Sequence, residues 1–245
     1  MTEARSSRLH AFEINGVAAL ADPVGVLVLP ASATLIVSDL HFEKGSAYAA
    51  RGQLIPPYDT RSTLRRLGEA IARHRPERVI ALGDSFHDLG ADGRMDEADA
   101  AALQALVASV ADWVWIEGNH DPVPPPRFGG VILHELAVDA LILRHLPAER
   151  AAPGEIAGHL HPCAKVRGKG RAVRARCFAT DGARLVMPAF GAFTGGLNVC
   201  DAAFGRCFGS TPDALVMGQD AVYSVRAAKL VPDRYQSRPN ITAAR

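Results

Sequence analysis

Apolar positions in the first half of the chain fall into two rhythms. Val17–Ala21 and Val24–Leu29 are short apolar runs separated by Asp22-Pro23, a turn-forming pair, and they predict a hairpin. Thr34–Val37, Val79–Leu82 and Trp113–Ile116 are compact apolar runs of strand length. Each ends in polar residues: Ser38-Asp39, Gly83-Asp84 and Glu117-Gly118-Asn119. Between them lie two helical patterns. Asp59 to His74 places Leu64, Leu67 and Ile71 at helical spacing with Arg65, Arg66 and Glu69 elsewhere, and Asp96 to Val110 is Ala-rich. Strand, helix, strand, helix, strand in that order predicts parallel strands joined by helical crossovers.

The second half changes character. Val131–Leu133, Leu136–Leu143, Glu155–Ala157, Ala172–Phe178, Arg184–Met187 and Ala221–Val225 are short strand patterns with little helix between them. A β-rich half stacked on the parallel sheet gives an α/β fold of two packed sheets with outer helices. Pro122–Pro126 reads as a rigid loop beside the strand ends. Residues 1–232 are expected to form one domain, and 233–245 a polar, loosely held tail.

Composition narrows the class. A chain of 245 residues that is 48% hydrophobic can bury a substantial core, and aperiodic Gly and Pro exclude collagen-like or disordered readings. The net charge of +1 gives no overall attraction to nucleic acid or membrane, so any such case must rest on local patches. Cys163, Cys177, Cys200 and Cys207 form no C-x-x-C pair, which argues against a zinc ribbon or thioredoxin-like motif. Reduced thiols in a cytoplasmic protein are the expectation. Met1 to Phe12 lacks the apolar core of a signal peptide. The run from Val17 to Pro30 is broken by Asp22, Pro23 and Gly25, so no membrane association is expected.

The chemistry gathers at the strand ends. Asp39 and His41 follow one strand, Asp84 the next, Asn119 and His120 the third; His145 follows Leu141–Leu143, and His159 and His161 follow Glu155–Ala157. Ends of parallel strands lie along one edge, where α/β folds place ligands. Carboxylate, amide and imidazole donors suit Mn²⁺, Fe or Zn²⁺ rather than thiolate-loving metals. Asp84 has two oxygens and can serve two cations. Two cations about 3.5–4 Å apart can clamp a phosphoryl oxygen and activate a water. On an extended chain, His159 and His161 would project to one side.

Asp39-Leu40-His41, Gly83-Asp84, Gly118-Asn119-His120-Asp121, His145 and Gly158-His159-Leu160-His161 resemble the ordered signature of the calcineurin-like metallophosphoesterases. The resemblance implies a two-sheet sandwich flanked by helices in α/β/β/α layers, and a metal-dependent phosphoesterase with two divalent cations, Mn²⁺ first, Fe or Zn²⁺ otherwise. It implies that Asp39, His41, Asp84 and His161 hold one cation, and Asp84, Asn119, His145 and His159 the other. His120 would position the phosphate and protonate the leaving group, with Asp121 orienting it. His134 stays open as an alternative to His145. His87 stands where the family's commoner G-D-x-x-D pattern has its second Asp; a substrate contact and a loop side chain facing water are its two readings.

A narrower resemblance comes from the stretches around Ser38–Gly45, Leu82–Asp88, Gly154–Pro162 and Pro188–Leu197, which look like the bacterial ligase-associated DNA damage response endonucleases. It implies a DNA substrate, and a DNA ligase, a helicase and an exonuclease as partners. Lys165, Arg167, Lys169 and Arg171 alternate directly after His161 and would make a basic strip if the segment is extended; a solvated hairpin turning at Gly168 and Gly170 is the other reading. Pro188–Leu197, with Phe190 and Phe193, is either a substrate-side loop close to the metals or a turn capping the second sheet. The alternatives to a DNA endonuclease are a small-molecule nucleotide phosphodiesterase or phosphatase, and a weakly catalytic metal-bound scaffold for repair proteins.

Overall fold

A computed structural model describes residues 8–53, 55–56, 58–149, 152–168 and 170–233. Its centre is a pair of mixed β-sheets flanked by helices. The first sheet runs in the order His10–Ile14, Val17–Ala21, Leu27–Leu29, Thr34–Val37, Arg78–Leu82, Asp112–Ile116, Val131–Leu133. Pairing is antiparallel up to Thr34–Val37 and parallel beyond it. The helices Asp59–His74 and Glu97–Ala108 make the expected crossovers, the second started by the Asp96 carboxylate accepting from the Ala98 N–H. Val131–Leu133, expected in the second sheet, extends the first instead. The short turn Pro126–Phe128 buries Phe128 among the helix-side core residues and carries the chain to that edge.

The second sheet runs Leu197–Asn198, Pro162–Arg167, Ala172–Thr180, Leu185–Val186, Glu155–Ala157, Leu141–Arg144, Glu135–Val138. The hairpin of Asp213–Met217 and Val222–Val225 adds onto Ala172–Thr180. The expected single run Leu136–Leu143 is two antiparallel strands, reversed at Asp139, whose φ of 53° is left-handed.

Three apolar layers explain the compact runs. Leu35, Val37, Val79 and Ala81 face Leu64, Leu67, Leu103 and Val107 of the helices. Ile36, Ile80, Leu82, Val114 and Ile116 face Leu143, Ile156, Phe178 and Met187 of the other sheet. Both faces of these strands are thus dry, and alternation disappears. Beyond the second sheet, Ala164, Cys177 and Ala179 pack on Phe204 and Phe208 of the helix Ala202–Phe208.

All four cysteines are unpaired. Among the described residues no helix is long and apolar enough to cross a membrane. The expected tail lies, except for Asp233, outside the described residues. The Asp22 turn is more than a turn: its buried carboxylate accepts from Arg73 at 2.9 Å and lies 2.8 Å from Nε2 of His74, whose side chain is largely buried. Burial pushes the Asp22 carboxyl up, but the His74 hydrogen bond, the Val24 N–H and the two cationic neighbours outweigh it and hold the group below the ordinary carboxylate range.

Candidate metal centre

The loops that follow five strands converge and are stitched together by backbone. Asp39 N–H donates to Gly83 O (3.2 Å), His41 N–H to Asp84 O (2.9 Å) and Gly158 N–H to His145 O (3.0 Å). Asp39, His41, Asp84, His159 and His161 all have left-handed φ, between 46° and 66°. Such backbone costs about 1–3 kcal/mol per residue, so neighbouring contacts must hold it. The turns also overrule the extended reading of His159 and His161. Leu160 N–H donates to Gly158 O at 2.7 Å, and the two imidazoles go to different donor groups.

Those groups are Asp39, His41 and His161, and Asp84, His145 and His159, each with donor atoms within 4.8 Å of one another. In the first, His161 Nε2 lies 2.9 Å from Asp39 Oδ1 and 3.4 Å from His41 Nε2. In the second, His145 Nε2 lies 3.3 Å from Asp84 Oδ1 and 3.0 Å from Asn119 Oδ1, which brings Asn119 into the group. Two donors at right angles on a cation about 2.1 Å away sit about 3.0 Å apart, so both sets fit a small divalent ion. His145 Nδ1–H donates to the Leu82 carbonyl (3.0 Å), which makes Nε2 the ring atom that faces Asp84 and would take a cation. Ser38 Oγ donates to Asp39 Oδ2 at 2.5 Å and fixes that carboxylate, a contact the motif alone did not suggest.

Protons and cations compete for these donors. Burial, with the His161 and Lys44 charges, holds His41 down to about 3 against the pull of Asp39 and Asp84. Burial pushes Asp84 up, but the His145 hydrogen bond and charge and the His120 N–H outweigh it and hold the carboxyl at about 2. Burial lowers His145, yet the Asp84 hydrogen bond and the Asp39 and Asp84 charges push it up to about 9. A cation taking His145 Nε2 therefore displaces a proton.

His120 hangs over the second group, its side chain 42% exposed and its Nε2 3.9 Å from Asp84 Oδ2. Its ring is not oriented by Asp121, contrary to expectation. His120 Nδ1–H donates to the His87 carbonyl at 2.8 Å, while Asp121 Oδ2 accepts from Ser85 N–H (2.9 Å) and Phe86 N–H (3.0 Å). Asp121 follows His120 directly and its side chain turns inward under the Gly83-Asp84 loop, so it clamps two ligand-bearing loops together. Burial pushes its carboxyl up to about 7. His87 is half-buried rather than in water. Its ring stacks on His120 with centroids 5.6 Å apart and meets His41 edge-on at 5.7 Å. His134 lies elsewhere: its side chain is 84% exposed and pairs with Glu117 at 3.2 Å. The geometry thus favours His145 over His134.

Of the two readings of the basic segment, the hairpin turning around Gly168 and Gly170 is the one found. Pro162–Arg167 and Ala172–Thr180 form an antiparallel hairpin, and Gly168 N–H donates to Arg171 O at its turn. Arg171 therefore sits in the turn, off the alternating strand, and Lys169 lies outside the described residues. Register pairs Lys165 with Arg174 and Cys163 with Arg176, so Lys165, Arg167, Arg174 and Arg176 share one face. Asp233 pairs with both Lys165 and Arg174 at 3.4 Å. Arg174 and Arg176 escaped the sequence reading because only cross-strand register places them beside Lys165.

The calcineurin-like phosphoesterase family profile matches residues 33–165. The solved structure of the nuclease MPE of Pseudomonas putida is similar to this chain, with 28% identity and a TM-score of 0.70, over 89% of this chain and 100% of that one. The solved structure of AQ665 of Aquifex aeolicus, a protein of unknown function, is 15% identical with a TM-score of 0.37, over 52% of this chain and 78% of its own. So distant a likeness has no bearing on the site. No curated protein matches the chain. With its two-sheet architecture and paired donor groups, the chain belongs to the calcineurin-like phosphoesterase family and is a metal-dependent phosphoesterase.

Proposed function

We propose that this protein is a dinuclear phosphodiesterase that cuts DNA. The observation that carries the reading is the pair of abutting O/N donor groups with His120 over one of them. Asp39, His41 and His161 would hold one cation and His145, His159 and Asn119 the other. Asp84 lies near donors of both and would be shared. The all-oxygen-and-imidazole donor set suits Mn²⁺. When bound, such cations supply Lewis acidity toward the phosphoryl group and lower the pKa of water.

The chain's own residues do the rest. The His87 carbonyl accepts a hydrogen bond from His120 Nδ1–H and leaves Nε2 on the Asp84 side, 3.9 Å from Asp84 Oδ2, where it would pass a proton to the leaving oxygen. Asp121 fixes the spacing of the Asp84 and Asn119 loops. Lys165, Arg167 and Arg174 face a polyanion beside His161, with Arg171 at the hairpin tip. The nuclease reading draws on the similarity to Pseudomonas putida MPE. A role in ligase-associated repair, alongside a DNA ligase, a helicase and an exonuclease, draws on the sequence stretches quoted above.

The test is purified protein loaded with Mn²⁺, assayed on an oligodeoxynucleotide, an aryl phosphodiester and a nucleotide monoester, each with an Asp84→Ala control. DNA cleavage that Asp84→Ala abolishes is the expected result. Hydrolysis of the small substrates with intact DNA would replace the proposal with a nucleotide phosphodiesterase or phosphatase. Turnover of none of them would leave a scaffold.

A further inference from the structure

The segment between Val186 and Leu197 runs along the first donor group and carries an exposed ring that the proposed chemistry does not use. Backbone hydrogen bonds fasten both of its ends to that group. Phe190 N–H donates to Ser38 O (2.8 Å), Gly191 N–H to Asp39 O (3.0 Å) and Leu197 N–H to His161 O (3.0 Å). A β-carbon on Gly191 would stand 2.3 Å from the Leu40 carbonyl, so only glycine lets the chain pass this close. Side chains brace the middle. Arg176 donates to Ala189 O (3.0 Å), Gly191 O (3.0 Å) and Thr194 O (3.1 Å). Arg66 donates to Phe190 O and lies over the Phe190 ring at 4.6 Å, and Ala192 N–H donates to Thr63 Oγ1 at 3.1 Å.

Firm support of this kind normally serves burial, yet Phe193 stays 50% exposed. Its φ of 56° lies in the left-handed region, where a bulky side chain is strained. A half-exposed ring on strained, immobilised backbone contributes little to folding, and such outliers concentrate at ligand sites. Two residues of chain span at most about 7 Å, so Phe193 lies within that reach of Gly191, which is bonded to Asp39. On the other side, Arg174 donates to Gly196 O and shares its face with Lys165 and Arg167. Along the chain, Phe193 therefore sits between Gly191, bonded to Asp39, and Gly196, bonded to Arg174 of the basic hairpin face.

We propose that Phe193 stacks on a nucleobase close to the scissile phosphate. The inference rests on the nucleic-acid reading of the site and deepens it. A planar ring with no polar group, on backbone already fixed, offers a π-face at little entropic cost. Every base has such a face, so this contact accepts any sequence while rejecting phosphate esters that lack a base.

Wild type, Phe193→Ala and Phe193→Tyr would be loaded with Mn²⁺ and compared on two oligonucleotides of equal length and charge, one with bases and one abasic around the cut. Loss of a stacked base should raise KM on the base-bearing strand about tenfold in Phe193→Ala. Phe193→Tyr should restore it, and KM on the abasic strand should stay within about twofold of wild type. A 2-aminopurine beside the cut should be quenched by wild type and not by Phe193→Ala. Equal KM for wild type and Phe193→Ala on the base-bearing strand overturns the inference alone, as do equal losses on both strands, which would mark a damaged loop. Failure of wild type to cleave either strand overturns the nucleic-acid reading and this inference with it.

Discussion

Gly118→Ala probes how tightly the ligand loops are packed. Gly118 is not in the left-handed region, so its backbone accepts alanine and the penalty is steric. The added β-carbon would lie 2.2 Å from Asp84 N, 2.3 Å from Asp121 Oδ1 and 2.4 Å from Asp84 Oδ1. Ordinary contact starts near 3.4 Å, so the Asp84 and Asn119 loops must part by about 1 Å. Neither neighbour can yield cheaply, because Asp84 Oδ1 also accepts the His120 N–H (2.9 Å) and Asp121 Oδ2 is tied to Ser85 and Phe86. Misplacing a catalytic group by about 1 Å can cost about a hundredfold in rate, or about 2.7 kcal/mol. Overpacking adds about 1–3 kcal/mol of destabilisation. The assay is kcat on an aryl phosphodiester at saturating Mn²⁺, with bound metal by mass spectrometry and Tm by circular dichroism. Gly205→Ala is the matched control: it meets nothing within 4 Å in the helix Ala202–Phe208 and should gain about 0.5–1 kcal/mol. A Gly118→Ala enzyme within threefold of wild-type kcat would refute the close-packing account.

Two further outcomes are expected. Asp22→Asn should lower stability at pH 7 by about 2 kcal/mol, a Tm loss of about 4–8 °C, a figure reduced because Arg73 is partly exposed. The Asp22 carboxyl is held below its unfolded value, so its contribution is present above that value and lost as pH falls through the folded one; wild type and Asp22→Asn should converge on acidification, and a Tm gap undiminished at pH 3 would contradict this. His145→Ala should lose about one metal equivalent while His134→Ala keeps both, and metal analysis showing the reverse would exchange their roles.

Local pattern in the sequence determined a good deal. The runs at Thr34–Val37, Val79–Leu82 and Trp113–Ile116, and the spacing of Leu64, Leu67 and Ile71, were legible because apolar periodicity is a local consequence of burial. The ordered donor motifs were legible because they fall at strand ends. Other elements were not. The strand Pro162–Arg167 looked like a charge strip because its inward Ala164 and Val166 are few, and the helix Ala202–Phe208 is too short for periodicity to register despite Asp201 before it and Gly209 after it. Tertiary structure alone decided the rest. Which His joins Asp84, which carbonyl orients His120, and which arginines share a face with Lys165 all depend on contacts between residues far apart in the chain. The sequence states which donors are present; the left-handed turns and cross-strand register that aim them exist only once two sheets have packed and can hold strained backbone in place.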